Sequence, residues 1–324
     1  MQCIVPALKN SKGPTMSILF SWKNGNADLW QREFATRLPS QQFRVYPDVG
    51  PVDSVEYALV WMPPMGDLKR YPNLKAIFSI GAGCDHILRD PDVPRSIPIV
   101  RLVDDVSVRD MSHFALHWAL HFQRNFHLYA EQQRDGIWQR HPYLDVSEHC
   151  VGVLGLGGMG TPIARMFADL GFEVIGWSRA RKVIDGIHCC AGLDELPEVL
   201  AGSSILVSVL PLTSETAGLL NCDRFAQMKA GSFLINIGRG PVIDEADLIA
   251  ALDKGQLGAA ALDVFDVEPL PVDHPFWKHP RIHVTPHTAG PTKDVSAIEQ
   301  IIRNIERIER GEDPHPVWNW QLGY

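Results

Sequence analysis

Gly155-Leu156-Gly157-Gly158-Met159-Gly160 is the stretch of this chain whose residue types and spacing most plainly suit chemistry. A G-x-G-x-x-G turn holds a dinucleotide when it joins a strand to a helix. The first glycine permits the tight turn, the second lets backbone approach a pyrophosphate, and the third lets helix and strand pack closely. The helix N-terminus then faces the anion. Both flanks fit: the apolar run Cys150–Leu154 precedes the turn and the helix-like segment Thr161–Leu170 follows it. The competing reading is a purely structural glycine turn.

The residues after the next strand bear on which dinucleotide is bound. NAD-binding folds carry Asp or Glu at the end of the second strand, about 20 residues on, to bind the ribose hydroxyls. Here Phe172–Trp177 ends at Ser178, and Arg179, Arg181 and Lys182 follow. No carboxylate stands there to repel a 2′-phosphate, and guanidinium groups are present to hold one. This predicts NADPH in preference to NADH, against the alternative of a solvated basic turn.

Three further stretches carry chemistry-bearing side chains: Asn236-Ile237-Gly238-Arg239-Gly240-Pro241, Leu262–Pro271 with Asp263 and Glu268, and Val284-Thr285-Pro286-His287-Thr288-Ala289-Gly290. All fall at expected carboxyl ends of strands, where ligands of open α/β sheets bind. Taken singly each is modest. A lone Arg after a strand is more often a surface residue, a lone His more often structural, and Glu268 sits in a proline-rich loop.

The elements that must position these residues follow a regular order. Ser17–Ser21, Tyr57–Met62 and Leu74–Ile80 read as strands and Ala27–Leu38 as a helix, with turn signals at Pro47-Asp48, Pro63-Pro64 and Tyr71-Pro72-Asn73. Asp110–Gln133 reads as one long helix. From Cys150 the alternation restarts, with strands expected at 150–154, 172–177, 205–210, 232–237, 257–263 and 281–284. Helices are expected at 158–170, 194–201, 223–229 and 244–254. The fold class is α/β: two doubly wound domains with parallel sheets. A last helix, Asp294–Arg310, is expected to return to the first domain. The expected organisation is therefore a dinucleotide domain over 111–290 inserted into a second domain built from 1–110 and 291–324.

Composition sets outer limits. The 324 residues suit about two domains, and 45% hydrophobic content is that of an ordinary globular protein. Lys and Arg number 30 against 38 Asp and Glu, a net charge of −8 that argues against nucleic acid as a partner. No apolar run approaches the ~20 residues of a membrane helix, and the start lacks a signal-peptide pattern. The expected location is the cytoplasm. Residues 1–15 read as a loose extension or a misplaced start. The six cysteines, Cys3, Cys84, Cys150, Cys189, Cys190 and Cys222, form no C-x-x-C and read as reduced thiols. His113, His117 and His121 share a helix face, but eight residues rise about 12 Å, so the outer two cannot reach one ion. They are read as structural or interface residues, and no metal is expected.

In this order after the glycine turn, the three stretches resemble the D-isomer-specific 2-hydroxyacid dehydrogenase family, over nearly the whole chain from about Ser17. Tyr57–Pro64, Ile80-Gly81-Ala82-Gly83-Cys84-Asp85, Gly176-Trp177-Ser178-Arg179 and Gly323-Tyr324 resemble its glyoxylate/hydroxypyruvate reductase A branch. The resemblance implies an NADPH-dependent reductase of small 2-keto acids, glyoxylate to glycolate and hydroxypyruvate to D-glycerate, with its active site between the two domains. It makes Arg239 the residue that binds the keto acid's carboxylate and polarises its carbonyl, a planar charge-assisted role suited to Arg. His287 becomes the proton donor and Glu268 the partner that orients its imidazole and favours the protonated form. Backbone N–H groups of Gly81, Ala82 and Gly83 hold the substrate, and Asp263 meets the nicotinamide carboxamide. Met111, Gly155, Gly157, Gly158, Met159, Gly160, Ser178, Arg179, Lys182, Leu210, Pro211, Ile237, Gly238 and Ala289 complete the cofactor contacts. Trp61 limits the pocket to small substrates, against the alternative of a packed core aromatic. Trp138 reaches the partner's active site in a homodimer formed around residues 110–145.

Two positions depart from the family pattern: His113 replaces a usual Glu, and Gly238 a common alanine. Four other readings compete. One is a reductase of larger keto acids such as phenylpyruvate. Formate dehydrogenase is disfavoured because it has Gln in place of Glu268, and phosphoglycerate dehydrogenase because the chain stops at Tyr324. The fourth is a non-catalytic NADP(H)-sensing binding protein, against which the lack of long disordered tails counts.

Overall fold

The computed structural model describes residues 16–323. Residues 1–15, including Cys3, and the closing Tyr324 lie outside the described residues. In chain order the strands are β1 (Ser17–Ser21), β2 (Gln42–Val45), β3 (Val55–Val60), β4 (Ala76–Ser79), β5 (Ile99–Val100), β6 (Cys150–Leu154), β7 (Glu173–Ser178), β8 (His188–Ala191), β9 (Ile205–Ser208), β10 (Ser232–Asn236), β11 (Leu257–Leu262) and β12 (Ile282–Val284). The helices are α1 (Ala27–Arg37), α2 (Asp85–Leu88), α3 (Asp105–Gln123), α4 (Phe126–Asp135), α5 (Gly160–Asp169), α6 (Gly192–Gly202), α7 (Cys222–Gln227), α8 (Glu245–Asp253) and α9 (Asp294–Glu309).

The chain forms two compact units. One runs to Val103 and resumes over Thr292–Leu322; the other is Asp104–Pro291 with Gly323. The division falls ahead of the expected 110/111 because α3 starts earlier than its apolar pattern suggests. Asp104 caps it, its carboxylate accepting the Ser107 N–H at 2.8 Å.

The first unit holds a parallel sheet of order β2-β1-β3-β4-β5. Its central strands are buried almost throughout and mostly apolar, as a sheet covered on both faces requires. One face packs under Trp30 and Phe34 of α1 and the isoleucine stripe Ile298, Ile301, Ile302 and Ile305 of α9, a spacing of 3, 1 and 3 that places all four on one helix face. Each such side chain contributes about 1.5–3 kcal/mol by leaving water. The Trp30 indole donates to Asp294 at 2.8 Å, fixing the return of the chain's last helix.

The second unit holds a seven-stranded parallel sheet, β12-β11-β10-β9-β6-β7-β8. Order reverses between β6 and β9, so the loops leaving their carboxyl ends diverge and open a crevice there. Both faces are apolar, one with Phe122, Phe167 and Ile163, the other with Leu196, Leu200, Phe225 and Leu248.

The expected helix over Asp110–Gln133 is two helices. Asn125, at φ +59°, breaks it between α3 and α4, a left-handed conformation that Asn adopts more readily than most residues. His121 and His127 fold back from the break onto His283, among Trp118, Phe122 and Phe233. Burial, reinforced by neighbouring histidines, pushes the His121 and His283 pKa values down to about 4.

Candidate active site

The glycine turn lies between β6 and α5, at the point where strand order reverses. Gly155 has φ +106°, which only glycine adopts freely. A Cβ on Gly160 would stand 1.8 Å from the Gly155 carbonyl oxygen, so the third glycine is demanded by helix–strand contact. A Cβ on Gly157 would meet nothing within 4 Å. That open side, facing the first turn of α5, is where backbone can approach an anion. Gly158 and Met159 complete the turn.

Beside it, β7 ends at Ser178, whose hydroxyl donates to the Ala180 carbonyl at 2.8 Å. The three cations that follow are used differently. Arg181 is engaged by the Glu195 carboxylate and donates to the Cys189 carbonyl at 3.0 Å. Lys182 donates to the Leu156 carbonyl inside the glycine turn itself. Arg179 faces Glu215 at 3.4 Å on the exposed side of the same loop. Lys182 thus touches the turn, while Arg181 ties the loop to α6.

Past β10, Asn236 organises the arginine loop: its amide donates to the Arg239 carbonyl at 3.0 Å and its oxygen accepts the Gly238 N–H at 3.2 Å. A Cβ on Gly238 would lie 2.6 Å from the Leu210 carbonyl oxygen, which accounts for glycine where alanine is common. Leu210 and Ile237 are buried beside it, and Pro211 accepts from Thr216 at 2.6 Å.

The His287 Nδ1 lies 2.7 Å from the Glu268 Oε2, and the other Glu268 oxygen accepts the Phe265 N–H at 3.0 Å. Burial opposes the Glu268 charge. The hydrogen bonds from His287 and Phe265, with the charges of His287 and Arg239, outweigh it and hold the carboxyl below its ordinary pKa. Glu268 is therefore an anion at neutral pH, next to Arg239 and His287. With Nδ1 engaged, Nε2 is the imidazole atom left to exchange a proton.

His287 itself has φ +51°, a strained conformation for a residue with a side chain. Asp263, 1% exposed, holds it there. Its carbonyl accepts the His287 N–H at 2.8 Å, and its carboxylate accepts from Thr285 Oγ1 (2.6 Å), Thr288 N–H (2.9 Å) and Ala289 N–H (2.8 Å). Asp263 thus holds the loop that carries His287. Met111 of α3 packs against Gly290 at the loop's end, where a Cβ would lie 2.6 Å from its Cγ.

In the first unit, Trp61 and the Gly81–Gly83 turn form one construction. A Cβ on Gly81 would meet the Trp61 ring at 2.5 Å, so glycine there lets the indole lie on backbone. The Gly81, Ala82 and Gly83 carbonyls accept from Leu102 N–H (3.1 Å), Arg101 Nε (3.0 Å) and Ser79 Oγ (2.8 Å), so the turn is held at each of its three residues. Buried His86 stacks against Trp61 with ring centroids 4.3 Å apart. Its Nδ1 accepts the Met62 N–H at 3.1 Å, so Nε2 carries the proton toward Ser79 Oγ at 2.9 Å.

Trp138 follows α4 and is 97% exposed, and Phe126, Ile137, Tyr143 and Leu144 of the same stretch of chain are exposed as well. Among the described residues no helix is long and apolar enough to cross a membrane.

Sequence reading missed His86, Ser79, Arg101, Asn236 and Thr285. All are polar residues that hold a loop. No spacing rule reports them, because their partners lie elsewhere in the chain or on backbone.

Residues 116–289 match the family model described as D-isomer specific 2-hydroxyacid dehydrogenase, NAD binding domain. A glyoxylate/hydroxypyruvate reductase A of Serratia proteamaculans is 39% identical over 314 residues, covering 95% of this chain and all of that protein. Among solved structures, a D-isomer specific 2-hydroxyacid dehydrogenase from Xanthobacter autotrophicus, in complex with NADPH and MES, superposes with a TM-score of 0.92 at 40% identity over 96% of this chain and all of that one. An NADPH-dependent glyoxylate/hydroxypyruvate reductase from Sinorhizobium meliloti, in complex with NADP and sulfate, gives a TM-score of 0.88 at 33% identity, over 95% of this chain and all of that one.

Proposed function

The chain belongs to the D-isomer-specific 2-hydroxyacid dehydrogenase family, and from that membership we propose that it reduces glyoxylate and hydroxypyruvate to glycolate and D-glycerate with NADPH. The coarser statement, an oxidoreductase of 2-keto and 2-hydroxy acids using NADP(H), rests on the family, on relatives at 39% identity and on NADP-bound neighbours. The finer one rests on the site.

The cofactor's binding residues in this reading are Gly155, Gly157, Gly158, Met159, Gly160, Ser178, Arg179 and Lys182, with Met111, Leu210, Pro211, Ile237, Gly238, Asp263 and Ala289 along the rest of the cleft. When bound, the nicotinamide supplies hydride to the keto carbon. Arg239 binds the substrate carboxylate and draws electron density toward the carbonyl oxygen. His287 passes the proton on Nε2 to that oxygen, and Glu268 steadies the imidazolium beforehand. The amides of Gly81, Ala82 and Gly83 hold the carboxylate, and Trp61 bounds the pocket. The protein acts in the cytoplasm as a homodimer, with Trp138 and its exposed apolar neighbours as the self-association surface.

The observation that carries the reading is the 2.7 Å contact of His287 with an anionic Glu268 beside Arg239. Steady-state kinetics on a panel of 2-keto acids, with NADPH and NADH, tests it. Turnover of glyoxylate and hydroxypyruvate with NADPH is expected. Preference for phenylpyruvate moves the substrate class upward, and no turnover on any keto acid removes the enzyme reading in favour of a nucleotide-sensing protein.

A further inference from the structure

We propose a divalent transition-metal site, fitted to Zn²⁺, at His188, Cys190 and Glu198. Strand alternation places His188 and Cys190 on the same face of β8, the edge strand of the second unit's sheet, and Cys189 on the other. The next helix, α6, brings Glu198 to that face. His188 Nε2 already meets Glu198 Oε1 at 2.8 Å, and one ligand atom from each of the three residues lies within 4.8 Å of the others.

The donor set defines the ion. One imidazole nitrogen, one thiolate and one carboxylate oxygen suit Zn²⁺ or Co²⁺, whereas Mg²⁺ and Ca²⁺ take oxygen shells. Tetrahedral bonds of about 2.0–2.3 Å set ligand atoms about 3.3–3.7 Å apart, so closing the site takes side-chain movement of about 1 Å. His188 and Glu198 are exposed and able to make it, whereas Cys190, 1% exposed, is the fixed anchor. Solvent reaches the two exposed ligands, so water completes a tetrahedron. Glu198 is the acid left to coordinate, since Glu195, the other acid of the helix turn, is engaged by Arg181 and by the Ala191 N–H at 2.8 Å.

Binding must displace the Cys190 proton. Burial and the two glutamates push that thiol up to about 11, so it is protonated at neutral pH. The S–H bond breaks, the S–metal bond forms, and the proton leaves to buffer, one per metal. The thiolate and Glu198 carboxylate together balance a dication. The bound ion would clamp edge strand β8 to α6.

The test is titration of the full, untagged chain with CoCl₂, then displacement by ZnSO₄. One equivalent of Co²⁺ is expected to raise a thiolate-to-cobalt charge-transfer band, with one proton released near pH 8. Cys190→Ser should abolish the band, while Cys189→Ser, Cys222→Ser and Cys3→Ser keep it. His188→Ala and Glu198→Gln, both surface changes that leave the core alone, should each weaken the metal at least tenfold. No saturable band in the wild-type chain, a band surviving Cys190→Ser, or affinity unchanged in both surface variants would overturn the site.

Discussion

Asp263 holds the His287 backbone in a left-handed conformation, taking the His287 N–H on its carbonyl at 2.8 Å and the next two amides on its carboxylate. The acid and its loop are thus set by a residue that does not touch the imidazole. Asp263→Ala removes the acceptor of the buried Ala289 N–H, at about 1–3 kcal/mol, and of the part-buried Thr288 N–H and Thr285 hydroxyl, which water or the Leu262 carbonyl can serve instead. Chemical denaturation should show about 1–3 kcal/mol lost, with kcat falling alongside; an Asp263→Ala protein of unchanged stability would show the carboxylate is not what holds the loop.

Glu268→Gln keeps the shape of the side chain and removes its charge. Without the anion, His287 Nδ1 loses the charged partner it meets at 2.7 Å, so the imidazole is less firmly oriented for proton transfer. The loss in kcat should be about 10- to 100-fold, smaller than the ~10²- to 10⁴-fold of His287→Ala, which removes the proton donor. Steady-state kcat of each variant checks this, and an unchanged kcat in Glu268→Gln would show that the pair is not coupled in catalysis.

Arg179→Asp puts a carboxylate where a 2′-phosphate is proposed to sit, beside Glu215. The NADPH KM should rise at least tenfold with little change for NADH, since a charged hydrogen bond contributes about 1.5–3 kcal/mol. Equal losses for both cofactors would assign Arg179 a structural role.

The histidine cluster makes stability depend on pH. His121 and His283 have folded pKa values of about 4 against 6.5. Below pH 6.5 the unfolded chain takes up protons that the folded chain refuses until about pH 4. Stability is therefore fully present above pH 6.5 and is lost as pH falls toward 4. Urea midpoints should drop across that window and flatten in a His121→Phe, His283→Phe double variant. A wild-type midpoint constant from pH 7 to 4.5 would contradict the burial argument.

The glycine turn, the basic loop after β7 and the Arg239–Glu268–His287 series were all legible because strand-then-glycine and strand-end patterns carry chemistry in their spacing. Edge strands β2, β5 and β8 were not, being short and, in β2 and β8, polar enough to read as loops. The break at Asn125 was hidden because apolar periodicity continues across it; only the left-handed tolerance of Asn marks the place. Asp263 was noticed for its position after β11, yet its role is set by donors 22 to 26 residues later. The His188–Cys190–Glu198 grouping was invisible for a like reason: the sequence shows adjacent cysteines, and only the packing of α6 on β8 selects Cys190 over Cys189.

The chain of hydrogen bonds from Met62 through His86 and Ser79 to Gly83 makes two loops a single mechanical part. A shift of either loop carries the other with it. In the proposed function, pocket width at Trp61 and anion grip at Gly81–Gly83 are then not separate dials. A lineage that enlarges the pocket by moving Trp61 must also rebuild the turn beneath it, so a switch to bulkier acids needs paired changes, and single substitutions at either loop should lower affinity for every acid alike.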